Sequence, residues 1–302
     1  MPFPVQMLHL WRKTGGCVTD MLSYREAAVY GEKKLAEAGV EEARLDARLL
    51  LEQVCNTQRQ ELYLHPDRLL SAEEEKLYSE FLERRSGREP LQYILGKQFF
   101  FGEEYAVSPA VLIPRADTEC LVEKALSFGV EGKQVLDLCT GSGCILFSVL
   151  KRAKGSSGVG TDLSKEALEQ AEKNREKLQV DAKLYYGDLF EALPEELKGS
   201  FDFLLSNPPY IPSGEIEELM PEVSRFEPRM ALDGGADGLE LYRRIAGGAG
   251  EWLKSGGRIL LEIGSTQAEE LAALLEAAGF SETEVIKDHA GLDRVVCAIY
   301  TR

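Results

Sequence analysis

The segment best equipped for chemistry is Asn207-Pro208-Pro209-Tyr210. Two prolines stiffen the backbone directly after Asn207 and remove N–H donors, so carbonyl acceptors dominate there. An NH2 group entering this turn can donate one hydrogen to the Asn207 side-chain oxygen and the other to the Pro208 carbonyl. Tyr210 can supply a planar, apolar wall. In isolation Asn-Pro is ordinary turn chemistry. Here it follows an apolar run, Phe201–Ser206, that reads as a buried strand,.

A second set of residues recurs at strand ends. Val135-Leu136-Asp137-Leu138 leads into Cys139-Thr140-Gly141-Ser142-Gly143, where Gly141 and Gly143 allow a sharp turn and close backbone approach to a ligand,. Asp162 closes the next strand, where a carboxylate can accept both ribose hydroxyl hydrogens of an adenosine. Gly187-Asp188 closes the third, and Asp188 can accept from the adenine amine. The third glycine expected of a nicotinamide-binding loop is missing, because Leu146 stands there,.

These turns need a parallel sheet to position them. Gln134–Leu138, Gly158–Asp162, Ala182–Tyr186, Phe201–Ser206, Arg258–Ile263 and Val295–Tyr300 read as strands,. Helices are predicted at Ile145–Ala153, from Ser164 to Leu178, and at Ala268–Ala278. Tyr242, Ile245, Ala246, Ala249, Trp252 and Leu253 mark one helix face, with Gly256-Gly257 as the stop signal,. Repeated β-α-β order implies an α/β fold with a mainly parallel sheet covered on both faces. Residues 22–86 read instead as helical. Ala43, Ala47, Leu50, Leu51 and Val54 share one face, and Ser71 with Glu74 forms a capping-box pattern,. Ser86, Gly87 and Pro90 mark a boundary, after which Leu91–Val107 reads as a β-like, aromatic hairpin connector. The expected organisation is a helical domain over residues 1–88, a hairpin linker over 89–112 and the sheet domain over 113–302. Residues 1–20 read as an uncertain leader.

Composition narrows the function classes. At 44% hydrophobic and 28% charged residues the chain has the profile of a soluble globular protein, expected in the cytoplasm,. No apolar run reaches the roughly 20 residues needed to span a bilayer. A formal charge of −16 argues against duplex DNA as the main partner,. The six cysteines form no CxxC pair and the three histidines are scattered, so no metal is expected,.

Asn207-Pro208-Pro209-Tyr210 resembles the motif of methyltransferases that act on planar amino groups, both the DNA-directed and the glutamine-directed enzymes. Val111-Leu112-Ile113-Pro114-Arg115-Ala116-Asp117-Thr118-Glu119 narrows the choice. So do Pro90–Gly96 with Phe100, Phe226-Glu227-Pro228, and Ala231–Gly238. Together they resemble the HemK/PrmC family of release-factor glutamine methyltransferases. The resemblance implies a Rossmann-like domain that binds S-adenosylmethionine and a helical N-terminal domain that recognises the substrate. It implies transfer to the N5 nitrogen of the glutamine in the Gly-Gly-Gln loop of class-1 peptide chain release factors. Carried over, the cofactor contacts fall on Thr140, Gly141, Gly143, Asp162, Asp188, Leu189 and Asn207. The substrate contacts fall on Asn207, Pro208, Pro209, Tyr210 and Phe100, with Asn207, Pro208 and Tyr210 as the catalytic group. Cys139 stands where many relatives have glycine, Ala116 replaces a usual proline, and Leu189 holds an often aromatic position. A ribosomal-protein glutamine is the alternative substrate, and an amino-directed DNA methyltransferase the more distant one. Nothing implies a membrane partner, direct nucleic-acid binding or an oligomer.

Overall fold

The structure is a computed structural model that describes residues 21–301, so the expectation for residues 1–20 lies outside the described residues. The chain divides into two compact units, with the boundary between Leu91 and Gln92.

The first unit is helical: α1 (Tyr24–Glu37), α2 (Ala43–Val54), the short α3 (Arg59–Leu64) and α4 (Ala72–Ser86). Ser23 and Ser71 each cap a helix through a reciprocal box with Glu26 and Glu74,. Ala47, Leu50 and Leu51 are buried on the predicted face of α2. Tyr24, Leu35, Tyr78 and Leu82 join them in the buried core of this unit. The Tyr78 hydroxyl reaches the carbonyls of Ala27 (3.2 Å) and Ala47 (3.1 Å), so its polar tip is satisfied inside that core,.

A single helical turn, α5 (Leu91–Leu95), precedes an antiparallel hairpin of β1 (Lys97–Phe100) and β2 (Glu103–Ala106). The β-like reading of Tyr93 and Ile94 is thereby corrected: both are buried helix residues, and the hairpin starts after Gly96, whose φ is +71°. Then follow α6 (Glu119–Ser127), β3 (Gln134–Leu138), α7 (Cys144–Arg152), β4 (Ser157–Asp162), α8 (Lys165–Leu178), β5 (Ala182–Tyr186), β6 (Phe201–Ser206), α9 (Pro221–Phe226), α10 (Glu240–Trp252), β7 (Leu253–Glu262), α11 (Ala268–Ala277), β8 (Phe280–Lys287) and β9 (Asp293–Tyr300).

The seven strands β3 to β9 form one sheet in the order β5-β4-β3-β6-β7-β9-β8. The first five in this order run parallel, and β9 and β8 add antiparallel pairs at one edge. Alternate residues point to opposite faces. Val135, Phe203 and Leu205 pack with Ile145, Phe147 and Leu121, whereas Leu136, Leu138 and Leu204 pack with Tyr242, Ile245 and Ala249. Both faces are therefore covered, as the sequence pattern implied. The Gly256-Gly257 stop is also corrected. Helix α10 ends at Trp252, and Leu253 turns extended (φ −77°, ψ 145°) and pairs with Phe201. The glycines lie in an irregular stretch of β7, where the register with β6 shifts. Among the described residues, no helix is long and apolar enough to cross a membrane.

Candidate active site

The order of neighbouring strands builds the site. Strand β3 lies between β4 and β6, so the chain reverses direction of growth across the sheet there, which is where open α/β sheets bind ligands,. Leu138 and Ser206 are register partners at the ends of β3 and β6. Cys139 and Asn207 therefore leave the sheet side by side. The Ser206 hydroxyl donates to the Leu138 carbonyl at 2.6 Å and ties the two exits together.

A cleft opens over these strand ends. Its floor includes Cys139, Thr140, Gly141, Thr161, Asp162, Asp188, Leu189 and Asn207. Ile145 and Ala167 add apolar surface, Ala110–Leu112 with Pro114 and Arg115 forms one wall, and Pro228, Met230 and Ala231 form part of another. The Arg115 guanidinium pairs with the Glu227 carboxylate, whose side chain is 1% exposed, and Glu227 also accepts from the Ile113 amide. Two segments distant in sequence are thus pinned together at the rim. Burial raises the Glu227 carboxyl above its ordinary range, against the pull of Arg115.

Asp162 holds the floor loop. One carboxylate oxygen accepts from the Gly141 amide at 2.8 Å and the other from the Ser164 amide at 2.9 Å. A carboxylate has about four acceptor positions, so it retains capacity for two further donors. Burial pushes its pKa up, while these backbone donors oppose the rise. Thr140 donates to Asp137 at 2.6 Å, and the wholly buried Asp137 carboxyl is pushed up to about 7 by burial. Asp188 pairs with Arg244 at 2.8 Å. Cys139 and Leu189 are non-glycine residues at φ +57° and +48°, in the left-handed region. Such a residue carries roughly 1–2 kcal/mol of strain, and strained backbone concentrates at binding sites.

The clamp segment is fixed from behind. The Gln267 amide donates to the Tyr210 carbonyl at 3.0 Å. Ile211 exchanges backbone hydrogen bonds with Leu232 and Gly234. A Cβ at Gly238 would stand 2.3 Å from the Tyr210 carbonyl oxygen, so only glycine permits that approach,. This explains the glycine-rich run after the clamp. Burial pushes the Tyr210 hydroxyl up to about 12. The Asn207 amide donates to the Thr118 hydroxyl at 3.4 Å, which leaves its oxygen as the free end.

The chain carries two family matches that cover most of its length: the PrmC N-terminal domain over residues 26–96 and the methyltransferase small domain over residues 116–222. A release factor glutamine methyltransferase of Geobacter sulfurreducens is 44% identical over 262 residues, covering 87% of this chain and 91% of that protein. The chain belongs to the release factor glutamine methyltransferase family. The corresponding protein of Caulobacter vibrioides is 40% identical, over 92% of this chain and 96% of its own length. A methyltransferase of Pyrococcus furiosus, known from its crystal structure, shares the fold. Its TM-score is 0.51 at 18% identity, over 67% of this chain and 91% of that one.

Within this family member, Thr140, Gly141, Asp162, Asp188, Leu189, Asn207 and Pro209 all line one cleft. Pro208 and Tyr210 sit just behind it, buried and half-buried. Two further expected residues lie outside the cleft lining. Gly143 does not line the cleft; it is the left-handed residue before α7, and a Cβ there would meet the Phe147 ring at 2.1 Å. Phe100 is 1% exposed and packs edge-on against Tyr105 at 6.0 Å, so its ring belongs to the core and not to the cleft. Alternation within the short β1 leaves Phe99 exposed and turns Phe100 inward,. Residues missed in the sequence include Ile145, Ala167, Met230 and Leu241. These are apolar lining residues with no chemical signal of their own. Among the described residues no group of histidine, cysteine or acidic side chains is placed to hold a metal ion.

Proposed function

We propose that this chain transfers the methyl group of S-adenosylmethionine to the side-chain amide nitrogen of the glutamine in the Gly-Gly-Gln loop of class-1 peptide chain release factors. The observation that carries the reading is the placement of Asn207 at the edge of the cleft. Its oxygen is free to accept, and the rigid Pro208-Pro209 step comes directly after it. The family relatives, matched over nearly their whole length, are release factor glutamine methyltransferases.

The cleft has the donor and acceptor chemistry that the cofactor needs. Asp162 would accept its ribose hydroxyls, Asp188 its adenine amine, and Leu189, Ile145 and Ala167 would pack on its apolar faces. Thr161, which lines the cleft, keeps its side-chain oxygen without a hydrogen-bond partner, which fits a site completed by a polar ligand,. Bound S-adenosylmethionine supplies a sulfonium methyl that is already electrophilic.

The remaining difficulty is the nucleophile, because an amide nitrogen shares its lone pair with its carbonyl. Asn207 would accept one N–H of the glutamine through Oδ1, and the Pro208 carbonyl would accept the other. Both acceptors hold the nitrogen in place and favour its pyramidal form as positive charge develops. After transfer the positively charged, methylated amide nitrogen is strongly acidic and gives one of its two protons to water, leaving the neutral N-methyl amide. Tyr210 would shield the amide from water.

The test is transfer of labelled methyl to a purified release factor, with the loop glutamine changed to alanine as control. Labelling that disappears with that change supports the proposal. Cofactor binding with no labelling of either protein would overturn the substrate assignment and turn attention to a ribosomal-protein glutamine.

A further inference from the structure

The floor loop of the cleft does not keep its shape by its own bonds alone. Cys139, Gly141 and Gly143 all have positive φ, and Cys139 is strained there,. Strained backbone persists only where its surroundings fix it. Three contacts from outside the loop do so. The Thr161 carbonyl accepts from the Thr140 amide at 2.9 Å, Asp162 accepts from the Gly141 amide at 2.8 Å, and the Asn174 side chain donates to the Ser142 carbonyl at 2.9 Å. Thr161 and Asp162 end β4, beside β3 in the sheet. Asn174 comes instead from α8.

Asn174 reaches further than the loop. Its side chain is fully buried. Its oxygen accepts from the Ala106 amide at 2.8 Å, and its nitrogen donates to the Ala106 carbonyl at 3.0 Å as well as to Ser142. Ala106 is the last residue of β2, so Asn174 meets the hairpin backbone as a neighbouring strand would. A side-chain amide has two N–H donors, and both are engaged, one with the hairpin and one with the floor loop. The orientation is forced. Turned over, the amide would set its NH2 against the Ala106 N–H and its oxygen against two carbonyls. The hairpin also holds the far side of the same turn. The buried Tyr105 hydroxyl lies 2.7 Å from Ser148 Oγ and donates to the Cys144 carbonyl, at the start of α7, at 3.3 Å.

We propose that Asn174 is a positioning residue that ties the floor loop to the hairpin and holds the Ser142 turn in the shape that receives S-adenosylmethionine. The inference rests on the cofactor assignment given above. Ser142 lines the cleft, whereas Asn174 and the hairpin residues 97–106 do not, so the effect is transmitted through backbone contacts. Without Asn174 the carbonyl of Ser142, a residue 2% exposed, would lose its donor. A buried acceptor left unpaired is costly. The loop would then turn that carbonyl toward water in the cleft, and cofactor binding would have to turn it back. In the wild type, folding has already fixed it, which is pre-organisation. The coupling is reciprocal: a cofactor that steadies the loop must also steady the Ala106 end of the hairpin.

The experiment compares the full-length wild type with Asn174→Ala. Calorimetry reads the affinity for S-adenosylhomocysteine. Hydrogen exchange reads the backbone around Ala106 with and without that ligand. The wild type should bind, and binding should slow exchange at Ala106. Asn174→Ala should bind about 10- to 100-fold more weakly, the scale set by stranding one buried carbonyl, and saturating ligand should no longer slow Ala106. Neither readout needs the methyl acceptor, so a wrong substrate assignment leaves both intact. Steady-state transfer then separates positioning from damage to the fold. Partial misfolding lowers kcat at an unchanged KM, whereas a loosened loop raises the KM for S-adenosylmethionine and largely spares kcat; the second pattern is expected. If Asn174→Ala does not fold, exchange at Ala106 in the wild type decides by itself. Wild-type affinity in Asn174→Ala, a loss confined to kcat, or exchange at Ala106 that ignores the ligand would overturn the inference. A wild type that fails to bind S-adenosylhomocysteine would sink the cofactor assignment itself, and this inference with it.

Discussion

Asn207 and Asp162 face the same cleft with opposite duties. Asn207 is proposed to act chiefly on the reacting amide, so its loss should appear mainly in the chemical step. Asn207→Ala should lower kcat by about 10²–10³-fold, the usual effect of removing one charge-stabilising contact, while S-adenosylmethionine still binds. Single-turnover transfer measures this, and near-wild-type turnover would remove Asn207 from the clamp. Asp162 instead anchors the loop and is proposed to anchor the ribose. In Asp162→Asn one acceptor becomes a donor facing the backbone N–H of Gly141 or Ser164. Charge-assisted hydrogen bonds are worth about 1.5–3 kcal/mol, so cofactor affinity should fall roughly 10- to 100-fold. Calorimetric titration reads the change, and an unaltered affinity would contradict the role.

Helices, strands and loops decide whether those residues meet. The Arg115–Glu227 pair joins two rim segments that no strand connects. Arg115→Ala would leave Glu227 buried without its cation. Breaking such a pair costs several kcal/mol when both partners are buried, but Arg115 is 38% exposed, so about 1–2 kcal/mol is expected here,. Urea denaturation of the single and Arg115→Ala/Glu227→Gln variants would measure it. The double variant should be no less stable than Arg115→Ala, because the stranded charge is gone; additive losses would disprove the pairing argument. This rim also marks how far sequence reading reaches. The strands that carry Asp162 and Asn207 are legible because buried parallel strands read as apolar runs with chemistry at their ends. Strand β8 is not. Only Phe280 is buried in it, and its charged residues face solvent at the sheet edge. Leu253 reads as helix because a buried residue fits either period when it lies at the junction of two elements,. Arg115 and Glu227 lie in separate segments, and their pairing comes from tertiary packing that one-dimensional spacing does not encode.

Taken as a whole, the molecule stores two protons near neutrality. Asp137 and Glu262 are both wholly buried, and burial pushes each up to about 7. In the unfolded chain both titrate near about 4. Between those values the folded chain keeps protons that the unfolded chain has shed, so stability must fall as pH rises through this interval. Other acids work in the opposite sense. Glu26 is held low by Ser23, Glu104 by Lys177 and Asp237 by Arg243. Their contribution is complete above the ordinary carboxyl range and is lost only as pH drops below it. The two sets place maximum stability near about pH 5, roughly one unit above the unfolded carboxyl range. From there to about pH 8 the unfolding free energy should decline by a few kcal/mol, on the order of 2 kcal/mol per buried acid. Urea midpoints measured across that range check it, and Glu262→Gln should make the decline shallower by removing one of the two stored protons. Stability that instead rises steadily between about pH 5 and about pH 8 would mean that both carboxyls are ionised in the folded chain.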